Sequence, residues 1–439
     1  MKLFQQMLVA GTAMSLIAPI AAQASDSLNH DGMNSYVRSE RNSKRIDSKT
    51  FVNQVNEELA TLEGSVDGLQ AQQYDFEAGS FSDTTTLDGK AIMWIGAVDG
   101  ADNLSTAQGN AQSVQTGYTY TMNLNTSFNG DDNLYVRLKG GDNGNQWENK
   151  ATYHIESKNT DKTDTGNTAF NVDKIWYSWN VTDEVTAFVG PRIENYYMYI
   201  TPSIYQPGVL KSMKLGGNSN FGASTDVGFG FKYENESGFG FASNIVSKDA
   251  DTADGMLGKN DQNKWDTQIA YTTDNWHISA TLSDAQGWTS HSYNATAKGY
   301  AMSGDGDDTT GYALRAYWRP DNSGTSTPEV SVGYDTKSLD NASGAVSKSA
   351  DSYFVGLTWR DMFQADDRIG VAFTQPLRVT EMADGSATGE VNPFVWEAYY
   401  SFRPNDSIEV RPAVFGGSDV KADTQDDILG IALTTVFKF

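Results

Sequence analysis

The stretch Gly117–Phe128, GYTYTMNLNTSF, sets Tyr118, Tyr120, Met122, Leu124 and Phe128 on one phase and Gly117, Thr119, Thr121, Asn123, Asn125 and Ser127 on the other. Side chains of a strand point alternately to its two faces, so a period of two predicts a strand with one apolar and one polar side. The alternation returns along the chain. Leu134, Val136 and Leu138 alternate with Tyr135, Arg137 and Lys139; Tyr312, Leu314, Ala316 and Trp318 with Ala313, Arg315 and Tyr317. Near the end, Phe394, Trp396, Ala398, Tyr400 and Phe402 alternate with Val395, Glu397, Tyr399 and Ser401. With weaker cases included, the pattern predicts sixteen strands between residues 86 and 439. The first, around Ala91 to Val98, is apolar on both phases, and its inward face does not follow from the pattern. An even number of antiparallel strands, each about ten residues long and alternating, is the signature of a transmembrane barrel. The expected fold is therefore an all-β transmembrane barrel, antiparallel, of about 16 strands.

The connections carry the same message. Short ones, such as Asn129-Gly130-Asp131, Thr182-Asp183 and Arg403-Pro404-Asn405, are built from turn residues. They alternate with long ones, at about 99–115, 140–171, 193–222 and 285–308 among others, mostly rich in Asp, Asn, Gly, Ser and Thr. Tight turns at one end and long loops at the other fit a barrel whose turns are periplasmic and whose loops face outward. Phe128, Tyr271, Trp276 and Phe402 abut short turns, while Tyr118, Trp265, Tyr312 and Phe394 abut long loops. Amphipathic rings at both ends of an apolar stripe match the two headgroup zones of a bilayer.

Composition alone points elsewhere. The 439 residues include 56 acids and 32 bases, a net charge of −24, and no Cys. Beyond the N-terminus no apolar run approaches the ~18 residues of a membrane helix, which excludes a helical membrane protein. An acid excess of this size argues against nucleic acid as a partner, and zero Cys removes disulfides and thiolate metal sites. A soluble multidomain protein would be the reading, had the apolar residues not been distributed in stripes too short for a helix-length window.

Residues 1–24 read as a cleaved signal peptide: Lys2, an apolar stretch from Met7 to Ile20, and Ala22-Gln23-Ala24 as the cleavage site. Residues 25–50 are a polar segment without the means to build a core, read as flexible. In 51–73, Val52, Val55, Leu59, Leu62, Val66 and Leu69 are spaced 3, 4, 3, 4, 3, the a/d seam of a short N-terminal α-helical coiled coil. A single amphipathic helix packed on its own domain is the alternative. The barrel domain is expected over 86–439.

Val189-Gly190-Pro191-Arg192, the pair of strands from Trp396 to Phe402 and from Asp406 to Pro412, and the closing strand Ile428 to Phe439 resemble cyanobacterial outer-membrane porins. That group is related to the carbohydrate-selective porin (OprB) family. The resemblance covers roughly residues 50–439 and implies a homotrimer in outer-membrane lipid that conducts small ions or sugars passively. A terminal Phe439, with Phe437 in the same strand, resembles the signal read by the barrel assembly machinery.

A barrel of this size encloses water. By parity the pore lining receives Arg137, Lys139, Lys174, Arg192, Lys232, Arg315, Arg368 and Arg411, with Glu397 among the acids. An excess of cations on a low-dielectric wall predicts a modest anion preference beneath an acidic vestibule; arginine–carboxylate pairs without net selectivity are the equal alternative. The loop at 193–222 differs from its neighbours in being apolar and aromatic, with Tyr196, Tyr197, Tyr199 and Tyr205. Exposed, it would be an aggregation hazard; folded into the barrel, it would form a constriction, as the third external loop commonly does in similar porins. Inward Tyr135, Trp176, Phe188, Tyr317 and Tyr399 could stack on sugars or simply fill the wall. No catalytic, cofactor-binding or metal motif stands out: the four His residues have no ligand spacing, and His277 reads as a polar wall residue. A structural tether between outer membrane and cell wall, or a secreted β-rich adhesin, are the competing functions.

Overall fold

A computed structural model describes residues 84–99, 113–141, 157, 170–200, 203–217, 226–253, 255–258, 261–287, 308–321, 327–340, 343–344, 347–388, 393–418 and 427–439. The signal peptide, the polar segment and the coiled-coil seam from Val52 to Leu69 lie outside the described residues. Sixteen strands follow in chain order. They are β1 (Thr85–Asp99), β2 (Gln115–Thr126), β3 (Asp132–Gly141), β4 (Asn171–Thr182), β5 (Val185–Ile193), β6 (Asp226–Glu234), β7 (Phe239–Ser247) and β8 (Asn263–Thr272). The second half is β9 (Trp276–Gln286), β10 (Thr309–Trp318), β11 (Glu329–Leu339), β12 (Ser347–Arg360), β13 (Arg368–Met382), β14 (Phe394–Asn405), β15 (Ile408–Ser418) and β16 (Ile428–Lys438). Each strand pairs with its sequence neighbours and the ring closes between β1 and β16.

Closure removes the edge that an open sheet would present to other chains. Ten antiparallel pairs from Lys90–Lys438 to Asp99–Leu429 zip β1 to β16. The last residue extends the seam: Phe439 N–H donates to Gly89 O at 3.2 Å, Gly89 N–H donates back at 2.8 Å, and the Phe439 ring stacks on Tyr120.

Exposure alternates with the sequence pattern, with the apolar side turned outward. Along β9, Trp276, Ile278 and Leu282 are exposed, Ile278 by 56%, whereas His277, Ser279, Thr281 and Ser283 are buried. Aromatics pair near the short turns, Phe128 with Tyr177, Tyr271 with Trp276 and Tyr400 with Phe402. One of those turns shows how they are held. Asp132 accepts from Phe128 N–H, Asn129 N–H, Ser127 Oγ and Tyr177 Oη, so a single carboxylate closes the β2–β3 turn and ties it to β4.

Two sequence expectations change. In β1, Ile92, Trp94 and Val98 face inward while Met93 and Ile95 are exposed, so the strand undetermined by pattern has an apolar inner side. Arg192, expected in the lumen, is exposed and pairs with Ile175, which lies between the buried Lys174 and Trp176 and so has the outward phase. The β5–β6 register slips between Gly190 and Ile193. Pro191, with no N–H for the ladder, sits inside that bulge, and one extra residue reverses every side chain beyond it.

Candidate functional site: a segment folded inside the barrel

Between β5 and β6 the chain turns inward. Its described part, 195–200 and 203–217, lies against the inner wall, with short 3-10 turns at Asn195–Met198 and Lys211–Gly216. Composition explains the direction. Met198, Tyr199, Val209, Leu210 and Met213 are buried, and an apolar segment of this kind leaves water wherever a matching surface exists. The surface is an apolar patch on the inner side of the wall. Tyr205, Val209, Leu210 and Met213 join one cluster with Trp94 and Val98 of β1, Phe354 of β12, Tyr399 of β14 and Phe415 of β15. The apolar inner side of β1 thus has a partner.

Polar anchors fix the path. At its start, Asn195 Nδ2 donates to Asp266 of β8 at 2.8 Å, and Ile200 N–H donates to Gln268 Oε1 at 2.8 Å. Ser203 and Ser331 of β11 share a hydroxyl–hydroxyl bond of 2.8 Å. The central anchor is Glu397 of β14, fully buried. Its Oε1 accepts from Tyr205 Oη at 2.8 Å and Gly208 N–H at 2.6 Å; its Oε2 accepts from Val209 N–H at 2.9 Å and Leu210 N–H at 2.8 Å. Backbone N–H groups off a regular element need acceptors when buried, and one carboxylate supplies three of them. Arg411 Nη1 donates to Gly208 O, Tyr399 Oη donates to Gln206 O, and Arg368 holds the Gln206 side chain.

On the return, Arg315 of β10, 1% exposed, donates to Leu215 O at 2.9 Å and Gly217 O at 2.7 Å, and also pairs with Asp335 of β11 at 2.9 Å. Gly216 and Gly217 have φ of +73° and +95°, which a glycine adopts without penalty. Across from them, a Cβ on Gly333 would lie 1.8 Å from Gly216 O, so the closest approach of segment to wall requires a glycine on the wall.

Electrostatics concentrate at the first turn. Glu194 pairs with Lys174 of β4 and accepts from Tyr196 Oη. Burial pushes the Glu194 carboxyl up, but the Lys174 and Lys214 ammonium groups and the hydrogen bonds outweigh it, and it titrates at about 2 rather than 4.5. Burial, then the Glu397 carboxylate, raises the Tyr205 phenol well above its usual range.

The expected pore-lining residues fall into two groups. Lys174, Arg315, Arg368, Arg411 and Glu397 are buried and used as anchors or in ion pairs. Arg137, Lys139 and Lys232 are on the inward phase and half-buried; Arg137 pairs with Asp173, and Lys232 with Glu234 at 2.8 Å. Arg137 and Lys232 thus each have a carboxylate partner. Tyr196 and Tyr197 are partly buried, and Tyr199 and Tyr205 are buried. Trp176 and Phe188 pack with Tyr197 and Met198, and Tyr399 lies under Tyr205, so these inward rings serve packing. Tyr317 stacks on His277 at 5.1 Å, whose Nδ1 bonds Thr272 Oγ1 at 2.7 Å.

Sequence reasoning passed over Gln206, Asp173, Asp335 and Glu194 as partners, and Lys90 and Lys214 as interior cations. Lys90 was legible only once the phase of β1 was known. Lys214, between Met213 and Leu215, carries no signal of its own.

No protein-family model matches the chain. An uncharacterized protein of the cyanobacterium Synechocystis sp. is 26% identical over 399 residues, which cover 81% of this chain and 69% of that protein. OprB of Pseudomonas putida superposes with a TM-score of 0.55 at 10% identity, covering 81% of this chain and 94% of its own. OmpT, an outer membrane protein of Vibrio cholerae solved in its trimer form, gives 0.52 at 10% identity over 81% of this chain and 99% of its own. The chain therefore has the barrel fold of these outer-membrane proteins and a cyanobacterial relative.

Proposed function

We propose that this protein is an outer-membrane porin, a water-filled channel through which small solutes diffuse passively. The observation that supports it most is the combination of a closed sixteen-stranded ring, an apolar exposed exterior and a polar interior crossed by an anchored segment. A barrel of that strand number has room for water, and the exterior stripes of Ile, Leu and Phe have their natural solvent in lipid. The interior segment then acts as the constriction, with Tyr196, Tyr197, Tyr199 and Tyr205 giving it bulk and Glu397 and Arg315 holding it to the wall. Inorganic ions are the primary permeants, and the family resemblance adds sugars. The same resemblance supports a homotrimer in outer-membrane lipid, inserted by the barrel assembly machinery through the strand ending in Phe437 and Phe439. The segment 51–73 fits a short coil joining the protomers, behind a signal peptide that directs export.

The full chain, folded in detergent and added to a planar bilayer, tests this reading. Discrete current steps in potassium chloride are expected, from material that migrates faster on gels before heating than after. A heat-modifiable barrel that gives no current would overturn the channel and leave the tether.

A further inference from the structure

We infer that an exterior trough over Ala280 of β9 and Ala316 of β10 is a binding site for one acyl chain of a membrane lipid. The inference rests on the reading of the barrel as membrane-spanning and names a ligand of its outer face. Strand register makes the trough. Ile278 lies opposite Ala316, and Leu314 opposite Ala280, so each alanine faces a branched side chain across the ladder. On their other sides Ala280 meets Ile269 of β8 and Ala316 meets Val332 of β11. All four of these flanking residues are exposed. Between them the two methyl groups leave a depression of about 460 Å³, which extends from Phe239 of β7 to Tyr334 of β11.

Chemistry and depth select the occupant. Among the described residues that border the trough, the outward side chains are hydrocarbon or aromatic. Arg315 and Ser279 border it too, but the Arg315 guanidinium is engaged on the inner side by Leu215 O, Gly217 O and Asp335, and Ser279 is buried on the inward phase. That lining has no charge for a headgroup, and strands paired on both sides leave no backbone partner for a peptide. The two rows of side chains that form the trough lie between the Trp276–Trp318 pair, next to the short turns, and Tyr312 toward the long loops. Aromatic belts mark the headgroup zones, so the trough sits at hydrocarbon depth in the leaflet on the short-turn side. Adjacent strands are about 4.8 Å apart, so Ile269 and Leu314 rise from backbones roughly 9–10 Å apart with one methyl between them. That is the width of a single file of methylenes. Within a bilayer an apolar surface gains nothing by leaving water, and the attraction is packing: a chain in a trough touches wall on three sides, one on a convex face on one.

The test uses the full chain folded into phosphatidylcholine vesicles that contain a small share of the same lipid with a diazirine in its acyl chain. Vesicles are floated through a density gradient and irradiated, and the labelled peptides are quantified. Peptides of β9 and β10 are expected to carry several times the label of β3, whose outward Leu134, Val136 and Leu138 include no alanine. Ala280→Leu with Ala316→Leu fills the trough, so label on β9 and β10 should fall to the β3 level while migration on gels stays heat-modifiable. Even labelling of floated protein would overturn the site and leave the membrane barrel intact. Enrichment that survives both substitutions would contradict its assignment to the trough. Label on β9 and β10 below that on β3, with the two strands cross-linking to another barrel, would assign the trough to a second copy of the chain in place of lipid. Protein that fails to float would remove the membrane reading and the site together.

Discussion

Two regions of the inner wall use the same residue types differently. On β10, β13 and β15 the inward cations are tied to acids and to the inner segment: Arg315 by Asp335 and two carbonyls, Arg368 and Arg411 by Glu409 and the segment itself. Over β1–β4 they fasten strand to strand: Arg137 of β3 pairs with Asp173 of β4, and Asp88 of β1 accepts from Asn123 and Asn125 of β2. The same residue types fasten the segment to the wall in one region and strand to strand in the other. What decides between these roles is whether a backbone lies close enough to need donors and acceptors. A lumenal arginine is therefore not evidence of selectivity until its partners are known.

The contrast can be broken at its strongest point. Glu397→Ala removes one carboxylate and four hydrogen bonds to the segment. Bonds to charged groups contribute roughly 1.5–3 kcal/mol each, so the segment should detach while the barrel stays closed. Trypsin should then cut after Lys211 or Lys214 in detergent-folded protein, where the parent resists; equal resistance would show that the apolar cluster alone holds the segment.

Arg315→Met comes next. It leaves Asp335 buried without its guanidinium and two carbonyls without donors, and breaking a buried pair costs about 3–5 kcal/mol. The expected readout is a lower unfolding midpoint in denaturant, partly restored by adding Asp335→Asn. A smaller steric effect follows for Gly333→Ala, whose new Cβ would meet Gly216 O at 1.8 Å and force the turn at Gly216 off the wall. Increased open-channel noise, with an unchanged gel shift on heating, would sharpen the view that only the seat has moved.

Acid should loosen the first turn. Glu194 titrates at about 2 in the folded chain against an ordinary 4.5, so its pairing with Lys174 is present in full between about pH 4.5 and neutrality and is lost as pH falls through about 2. Current noise should rise across that window in the parent, and Glu194→Gln should be noisy already at neutral pH. A flat noise profile in the parent would assign the turn to packing of Tyr197 and Met198. The smallest effect belongs to the wall away from these anchors: Lys139→Glu should move the reversal potential in a chloride gradient toward cations by a few millivolts, with the segment undisturbed.

The alternation from Tyr118 to Phe128 and its repeats carried the barrel, its strand number and its apolar exterior, because a two-sided strand must write its two solvents into its sequence. The inward aromatic segment was legible for the same reason, since Tyr196, Tyr197, Tyr199 and Tyr205 have no place in an exposed loop. Arg192 was misread because one bulge at Pro191 inverts parity, and a bulge is a property of pairing. β1 could not be oriented because both its phases are apolar: Met93 and Ile95 are exposed on the outer side, while Val209, Leu210 and Met213 pack against the inner one. The pairs Arg315–Asp335 and Lys174–Glu194 join residues 20 positions apart, a separation that becomes a contact only once the strands are in register.

Single-channel conductance of the parent against Glu397→Ala tests the central claim, that this is a channel narrowed by a segment tied to β14. The account predicts stable steps from the parent and steps of at least roughly twofold greater conductance from the variant, as expected when a constriction is released. Equal conductance from two folded barrels would contradict it.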